Sequence, residues 1–412
     1  MKKLLSFVLF FLVGSMVYAG GYRVAIQGQR QLAMGHTGVA VISSAESVFF
    51  NPASMSFLDG KMNFSLGVSG IMAETAYENT TYGISETTDN PLGTPFGAYG
   101  TYKINEKISV GIAIYTPYGS SVKWEDDWAG SHLVNNIALK AIFFQPTVAV
   151  KISDQLSVGA GFIYASGSVK FNKNRDRTLT NSNGDRSEIT IEETGISATG
   201  YTFGITLKPL EELTIGFNYR SKVDMEVEGG EATFENFPTS IAPANTTFDA
   251  TLPMPAEITF GLGYVYKEKL TVAFDYNLTQ WSEYEALTID LKNVGVSTNL
   301  RNYKDSNTLR FGVEYKATKK VTARGGVYFD ESPVQDGYFA PETPRNDSVG
   351  YTAGLSYQVN SKLSIDASFL YLQFDEIDNS YDHYMEGGVA VPFSGTYKST
   401  VIAPGIGVSY KL

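Results

Sequence analysis

The stretch LTIGFNYR, residues 213–220, decides the fold class of this sequence. Its Leu, Ile, Phe and Tyr residues alternate with Thr, Gly, Asn and Arg, so every second side chain is apolar. Because successive side chains of a β-strand point to opposite faces, the stretch predicts a strand with one apolar and one polar face. The same alternation recurs at residues 107–114, 269–277, 308–316 and 361–371. We expect a chain built mostly of such strands.

The lengths and connections of these strands favour a membrane barrel over a soluble sandwich. Many alternating segments run to roughly ten residues or more, near the 9–11 that a membrane strand needs. Strands of globular sheets most often have about five or six residues. Short polar turns alternate with long polar loops, as periplasmic turns and extracellular loops do in outer-membrane barrels. We expect the long loops at residues 74–94, 119–137, 173–195, 225–253, 291–304, 331–347 and 376–397. The predicted fold is an all-β transmembrane barrel of about fourteen antiparallel strands.

Two segments at the N-terminus do not fit the strand pattern. Residues 1–19 combine two lysines, an apolar run and Val17-Tyr18-Ala19, which is typical of a cleaved secretory signal peptide. Residues 20–58 are rich in Gly, Ala and Ser and lack alternation. We expect them to form a hatch of short helices that plugs the lumen of a barrel over residues 59–412, since a large barrel encloses more space than its own side chains fill. The expected location is the bacterial outer membrane.

Composition and motifs argue against several classes of function. The net charge of −11 argues against nucleic-acid binding, which needs a basic surface. His36, His132 and His383 have no metal-ligand spacing. No nucleophile elbow occurs, so we expect no metal, no cofactor and no enzymatic activity. A general diffusion porin and a barrel with an adhesive or enzymatic role stay open as alternatives to a selective transporter.

Several short stretches, in the same order along the chain, resemble the FadL/TodX family of outer-membrane transporters. They lie at residues 48–53, 115–119, 123–130, 252–257, 281–284, 303–305 and 330–334. The resemblance covers essentially the whole mature chain. It implies passive uptake of long-chain fatty acids or similar hydrophobic compounds into a hatch-filled barrel, with lateral exit through a kink in the third strand. An aromatic-hydrocarbon transporter of the same family is an alternative. Two departures are the non-aromatic C-terminal Leu412 and the unaligned residues 226–249.

The resemblance also implies site residues and partners. Asn51-Pro52-Ala53 is expected to latch the hatch against the kinked wall, and the kink falls on Thr116-Pro117-Tyr118-Gly119. Pro117 has no N–H for a sheet ladder, which supports a break in wall pairing, although the alternative is that it ends the strand. The expected ligand contacts are Lys304, Lys173, Trp124, Trp128 and Leu133. Further expected partners are outer-membrane lipid or lipopolysaccharide and the barrel-assembly machinery, and the protein is expected to be a monomer.

Overall fold

The structure, a computed structural model, describes residues 21–412, and the signal peptide expected over residues 1–19 lies outside the described residues. Fourteen antiparallel wall strands form a closed barrel, as the sequence predicted. The ring closes because β1 (Met62–Ser69) pairs with β4 (Phe96–Lys103) on one side and with β23 (Phe393–Lys411) on the other. Closure leaves the wall no open edge, which lipid could not satisfy.

Seven wall strands are interrupted once and consist of two consecutive segments, as β1 and β2 do along β23. The strands besides β1, β4 and β23 are β2 (Met72–Asn79), β3 (Ile84–Thr87), β5 (Ile108–Lys123), β6 (Asn136–Lys151), β7 (Leu156–Asn174), β8 (Glu188–Leu207), β9 (Leu213–Arg220), β10 (Val223–Glu235), β11 (Thr246–Met254), β12 (Glu257–Tyr266), β13 (Leu270–Thr279), β14 (Ala286–Leu291), β15 (Gly295–Leu300), β16 (Ser306–Lys316), β17 (Val321–Asp330), β18 (Ser348–Gln358), β19 (Leu363–Phe374), β20 (Ile377–Tyr381), β21 (Met385–Glu386) and β22 (Val389–Ala390).

The wall is apolar outside and polar inside, the reverse of a soluble protein. Phe260, Leu262 and Tyr264 of β12 are exposed on the outer face. Asp275 and Asn277 of β13, like most polar strand residues of the opposite face, are buried in the lumen. This distribution suits a barrel whose outer face meets lipid and whose inner face packs on a plug.

The strands reach further into the expected extracellular loops than the sequence predicted. The ranges 119–137, 173–195 and 225–253 were expected to be loops, but they hold the outer ends of β5 to β8 and nearly all of β10 and β11. Pairing of β7 with β8 continues outward to Asn174 and Glu188 with one register shift. The polar composition misled the prediction because strands above the membrane have water on their outer face and need no apolar alternation there.

The hatch, residues 21–58, lies inside the barrel and is almost wholly buried. It forms two one-turn helices, α1 (Gln29–Leu32) and α2 (Ser47–Phe50), and a 3-10 helix (Pro52–Phe57). A further short 3-10 helix (Trp281–Glu283) lies between β13 and β14. The polar lumen satisfies the hatch backbone, since the Asp275 carboxylate accepts the N–H groups of Gly38 and Val39 at 2.8 and 3.2 Å. Along residues 21–412 no helix combines the length and apolarity needed to cross a membrane.

Candidate functional site

Wall pairing is broken at the predicted kink in the third wall strand, β5. Pairing of β4 with β5 stops at Gly97 and Tyr115. On the other side of β5, the register with β6 shifts between Tyr115 and Tyr118. Pro117 sits in the shift and has no N–H to donate, so it cannot continue the ladder. The strand nevertheless runs on to Lys123, and Pro117 therefore interrupts β5 rather than ending it.

The hatch takes the place of the missing strand neighbour at this kink. Arg23 forms an isolated antiparallel bridge with Tyr118. The Val24 N–H donates to the Pro117 carbonyl at 2.8 Å, and the Gly119 N–H donates to the Tyr22 carbonyl at 3.2 Å. We call this junction of β4, β5 and residues 22–27 the seam.

Two side chains close what remains of the seam. The Gln27 amide donates to the Thr116 carbonyl at 2.9 Å. The Thr116 hydroxyl bonds both the N–H and the carbonyl of Phe96 on β4, at 3.2 and 3.3 Å. The cavity left between hatch and wall has only about 10 Å³. Glu46 lines it, and burial raises the pKa of that carboxyl. In this conformation the seam is shut to any organic ligand, while the exposed Phe96 flanks it outside.

An apolar cavity of about 80 Å³, the inner cavity, lies directly above the hatch. Tyr22, the hatch residue that also bonds β5, forms part of its lining. Most of the other lining side chains are apolar and come from β6, β7, β8, β10 and β11: Leu139, Val169, Ile191, Met225, Phe248 and Leu252 are examples. Tyr22 packs edge-on against Trp281, with ring centroids 4.9 Å apart, so aromatic side chains hold it in place.

A wider cavity of about 440 Å³, the outer cavity, adjoins the inner one on the extracellular side. Its lining includes two predicted ligand contacts, Leu133 and Lys173. The Lys173 ammonium donates to the His132 carbonyl at 3.1 Å and lies over the Tyr384 ring. Burial, helped by the nearby Lys173, lowers the pKa of His132 to about 4, so its imidazole is neutral at neutral pH.

The two cavities share part of their lining, including one buried ion pair. Arg301 and Glu342 line both cavities and bond each other directly. Arg301 also donates to the Leu300 carbonyl at 3.1 Å and lies close to the Tyr381 hydroxyl. This pair stands where a ligand would pass from the outer to the inner cavity.

The predicted latch contacts a different part of the wall from the kink. The Asn51 amide donates to the Ile205 carbonyl and the Thr206 hydroxyl of β8, each at 3.0 Å. The Ala53 carbonyl accepts the Ser157 hydroxyl of β7 at 2.7 Å. In this structure the three residues contact β7 and β8, where the Pro52 ring fits a notch that needs wall glycines.

Three predicted ligand contacts line neither cavity. Trp124 and Trp128 are buried in a stacked pair, with ring centroids 4.0 Å apart, inside an aromatic cluster of the extracellular loops. Their indole N–H groups donate to the Pro341 and Val134 carbonyls, so both rings support loop structure. Lys304 lies outside the cavities and pairs with Glu331 at 3.7 Å. None of the three side chains is part of the lining of either cavity.

Sequence reasoning missed Tyr22, Gln27 and Arg301. Arg301 stands three positions before Lys304, and the sequence alone does not show which of these two cations is buried beside the cavities. Tyr22 and Gln27 carried no signal of their own, since their role depends on which wall strand the hatch meets. Among the described residues no group of three or more His, Asp or Glu side chains lies close enough to hold a metal ion.

Comparison with known proteins identifies relatives along almost the whole chain. The family described as "Outer membrane protein transport protein (OMPP1/FadL/TodX)" matches residues 10–412. The long-chain fatty acid transport protein of Escherichia coli O6:H1 is 23% identical over 424 residues, covering 93% of this chain and 92% of the relative. The crystal structure of a Pseudomonas aeruginosa FadL homologue superposes with a TM-score of 0.84, at 18% identity, over 95% of this chain and 99% of its own. The crystal structure of the Pseudomonas putida toluene transporter TodX superposes with a TM-score of 0.72, at 16% identity, over 92% of this chain and 98% of the TodX chain.

Proposed function

The chain belongs to the OMPP1/FadL/TodX family of outer-membrane transport proteins, and from this premise we propose that it carries long-chain fatty acids or similar hydrophobic compounds through its outer and inner cavities to a lateral exit at the seam. Transport of hydrophobic compounds across the outer membrane is the activity of the family, whose members are passive transporters and not enzymes. The choice of ligand and the exit route are the parts that we propose.

The two cavities support an ordered uptake path. A ligand enters the wide outer cavity near Leu133 and Lys173, passes Arg301, and moves its apolar part into the inner cavity. Burying each CH₂ group there gains about 0.8 kcal/mol relative to water. Transfer between two apolar phases needs no energy source, so passive transport follows if the ligand leaves into lipid.

The seam is the observation that carries the exit route. At Tyr118 the wall is completed by hatch residue Arg23 and not by β4. Withdrawal of residues 22–27 would break the hydrogen bonds of this segment to β5 and the ion pairs of Arg23 with Glu257 and Asp330, but it would leave every wall strand paired as before. It would also join the inner cavity, which Tyr22 lines, to the outside of the wall beside Phe96. Opening downward into the periplasm would instead require the whole buried hatch to leave the lumen.

Crosslinking the seam tests this route. The sequence contains no cysteine, so a thiol reagent modifies only the cysteines that are introduced. In a chain with Gln27→Cys and Thr116→Cys, a short bis-methanethiosulfonate reagent ties the hatch to the kink. We expect uptake of labelled oleate by a transporter-deficient bacterium to fall to background and to return when reductant removes the crosslink.

A second cysteine pair provides the matched control. Ser54→Cys and Thr206→Cys joins the hatch to β8, where the two wild-type hydroxyl oxygens lie 2.9 Å apart, far from the seam. Uptake is expected to continue with this crosslink in place. Uptake that persists with the seam crosslinked, or that stops equally in the control, would contradict lateral exit at the seam.

Aromatic hydrocarbons are the second candidate ligands. The inner cavity carries the rings of Tyr22, Phe171, Phe248 and Tyr284, which suit a flat aromatic molecule. A toluene transporter is among the proteins with the same fold. Uptake of labelled toluene beside labelled oleate by the same cells separates the two ligand classes.

A further inference from the structure

The charged groups around the inner cavity are few and mutually neutralised. Of the described residues that line it, only Lys140, Arg301 and Glu342 carry charge. Lys140 is exposed and alternates along β6 with the buried Leu139, so its ammonium faces the outside of the wall. The charged groups that face the inner cavity are therefore the Arg301 guanidinium and the Glu342 carboxylate, which are bonded to each other.

The charge of Arg301 is already neutralised by a partner. One of its Nη atoms bonds Glu342, and the other donates to the Leu300 carbonyl and lies close to the Tyr381 hydroxyl, so three of its five N–H donors are engaged. Both side chains are buried, with side-chain exposures of 4% for Arg301 and 9% for Glu342. Burial acts to lower the pKa of Arg301, but Glu342 outweighs it and raises that pKa, so the guanidinium stays charged.

The outer cavity has the opposite character, because it holds basic groups in excess. Lys173 and Arg175 line it together with His383. Glu342 also lines it, but its carboxylate is paired with Arg301. An anionic head group thus finds cations in the outer cavity and none available in the inner one. Moving an ionised carboxylate past this point would strip its water without supplying a new partner, which is strongly unfavourable.

We propose that the inner cavity accepts uncharged ligands only, and that Glu342 enforces this by occupying the arginine that a carboxylate would otherwise bind. The inference rests on the proposed function and defines its substrate class. Hydrocarbons, alcohols, esters and fatty acids in their protonated form pass inward, so the labelled oleate of the uptake assay enters the inner cavity as oleic acid. Ionised carboxylates are held at Lys173 and Arg175 in the outer cavity.

A ligand pair of one chain length tests the proposal. Dodecanol and laurate share their chain and differ in head group, and binding of each to the purified barrel is measured by calorimetry at a pH where laurate is ionised. Lys173→Met and Arg175→Met are present in every barrel, including the one with the wild-type inner cavity, so that laurate held in the outer cavity is not counted. We expect the wild type to bind dodecanol at least about tenfold more tightly than laurate. In Glu342→Gln, which frees Arg301, laurate affinity is expected to rise by about tenfold through a charge-assisted hydrogen bond while dodecanol affinity stays unchanged.

Two further variants separate charge from shape. In the double variant Arg301→Met with Glu342→Met, both charges are gone, and we expect dodecanol binding to persist without any gain for laurate. Glu376→Gln removes an exposed carboxylate paired with Lys398, away from both cavities, and should change neither affinity. Heat-modifiable electrophoretic migration shows that each variant is a folded barrel.

The outcomes distinguish this inference from the function on which it rests. Laurate binding as tightly as dodecanol in the wild type, or a laurate gain in the double variant equal to that in Glu342→Gln, would overturn the selection for uncharged ligands. Failure of a folded wild-type barrel to bind either compound would overturn the proposed function, and the inference with it.

Discussion

The hatch meets the wall differently at its two ends. At its N-terminal end, Arg23 forms ion pairs with Glu257 at 3.1 Å and Asp330 at 2.9 Å, and the adjacent backbone bonds the kink. At its C-terminal end, Pro52 presses into a notch where Gly159 and Gly204 expose the wall backbone. A Cβ added to Gly159 would lie 2.6 Å from the Ala53 nitrogen, which is closer than atoms can approach.

This difference indicates which end can move. Hydrogen bonds can be exchanged for water or ligand groups one at a time, each at a modest net cost, and the buried ion pairs of Arg23 are the costlier step that holds this end in place. The close packing of the hatch backbone on the wall backbone at the C-terminal end cannot be undone one contact at a time, because the wall strands would have to move apart first. We therefore expect residues 22–27 to be the mobile end and residues 51–57 the fixed end. Four predictions test that contrast, in order of decreasing effect.

Removing the ion pairs of the N-terminal end should release it. Arg23→Met is expected to cost about 3–5 kcal/mol of local stability, as loss of a buried charge partner does. Amide hydrogen exchange should then become fast at residues 22–28 and stay slow at residues 51–57. Lys398→Met, which removes an exposed ion pair, is the control. Equal rates of amide hydrogen exchange at residues 22–28 in wild type and Arg23→Met would contradict the proposal that ion pairs hold the N-terminal end of the hatch in place.

Filling the notch should weaken the C-terminal end instead. Gly159→Ala forces a methyl group into the hatch backbone and should lower the free energy of unfolding by about 1–3 kcal/mol. Gly325→Ala is a matched strand substitution, since its new methyl would meet only the Thr352 carbonyl, at 3.9 Å. Urea midpoints of the two variants measure the difference. A Gly159→Ala midpoint as high as that of Gly325→Ala would show that the notch is loose.

Restoring regular strand pairing at the kink should slow opening of the N-terminal end of the hatch without destabilising its C-terminal end. Pro117→Val with Gly119→Val restores an N–H to β5 and favours straight wall pairing with β4. We expect uptake to slow by about fivefold, the effect of roughly one added hydrogen bond, with an unchanged urea midpoint. Unchanged uptake in a folded barrel would mean that the kink does not limit transport.

The smallest expected effect concerns pH at the loop above the N-terminal end. Arg345 of that loop donates to the Arg23 carbonyl at 3.2 Å, and Asp347 follows close behind. Burial, reinforced by Asp375, raises the pKa of Asp347 from 3.8 to about 7, while Lys304 opposes the shift and Glu331 adds to it. The folded loop therefore binds this proton more tightly than the unfolded chain does, so its stability falls as pH rises through the window between these two values.

Exchange rates, corrected for the intrinsic effect of pH, should thus show the loop and residues 22–24 less protected above that window than below it. Residues 51–57 should be unaffected. Asp347→Asn is expected to remove the pH dependence of the loop. A pH dependence that survives in this variant would assign the effect to another group.

Strand alternation was enough to predict the barrel, because lipid and lumen impose opposite chemistry on the two faces of every membrane strand. The position expected for the kink came from the family resemblance and was supported by Pro117, which cannot donate to a ladder wherever it lies in a wall. The alternation could not show where the latch binds. Asn51 is satisfied by carbonyls and hydroxyls that many strands could offer, and only the glycine notch on β7 and β8 selects the place.

Side-chain direction in the loops was the other limit. Lys304 and Trp124 stand in the stretches that carry the family resemblance. Loop backbone sets no fixed alternation of side chains, so the sequence could not predict their direction. Neither side chain lines a cavity. Lys173 and Leu133 were predicted on the same grounds, and they do line the outer cavity. Arg301 needed the fold, because its partner Glu342 lies in a different loop.

The bridge between Arg23 and Tyr118 also has a consequence for biogenesis. Residue 23 is synthesised and exported before any wall strand, yet its partner on β5 exists only after several strands have been added. Contacts between residues far apart in the chain form late in folding. The bridge joins residues 95 positions apart (118 − 23), whereas closure of the wall joins Asn63 to Lys411, 348 positions apart (411 − 63). The bridge should therefore form before the wall closes, so that release of a ligand would reopen a contact made early in assembly.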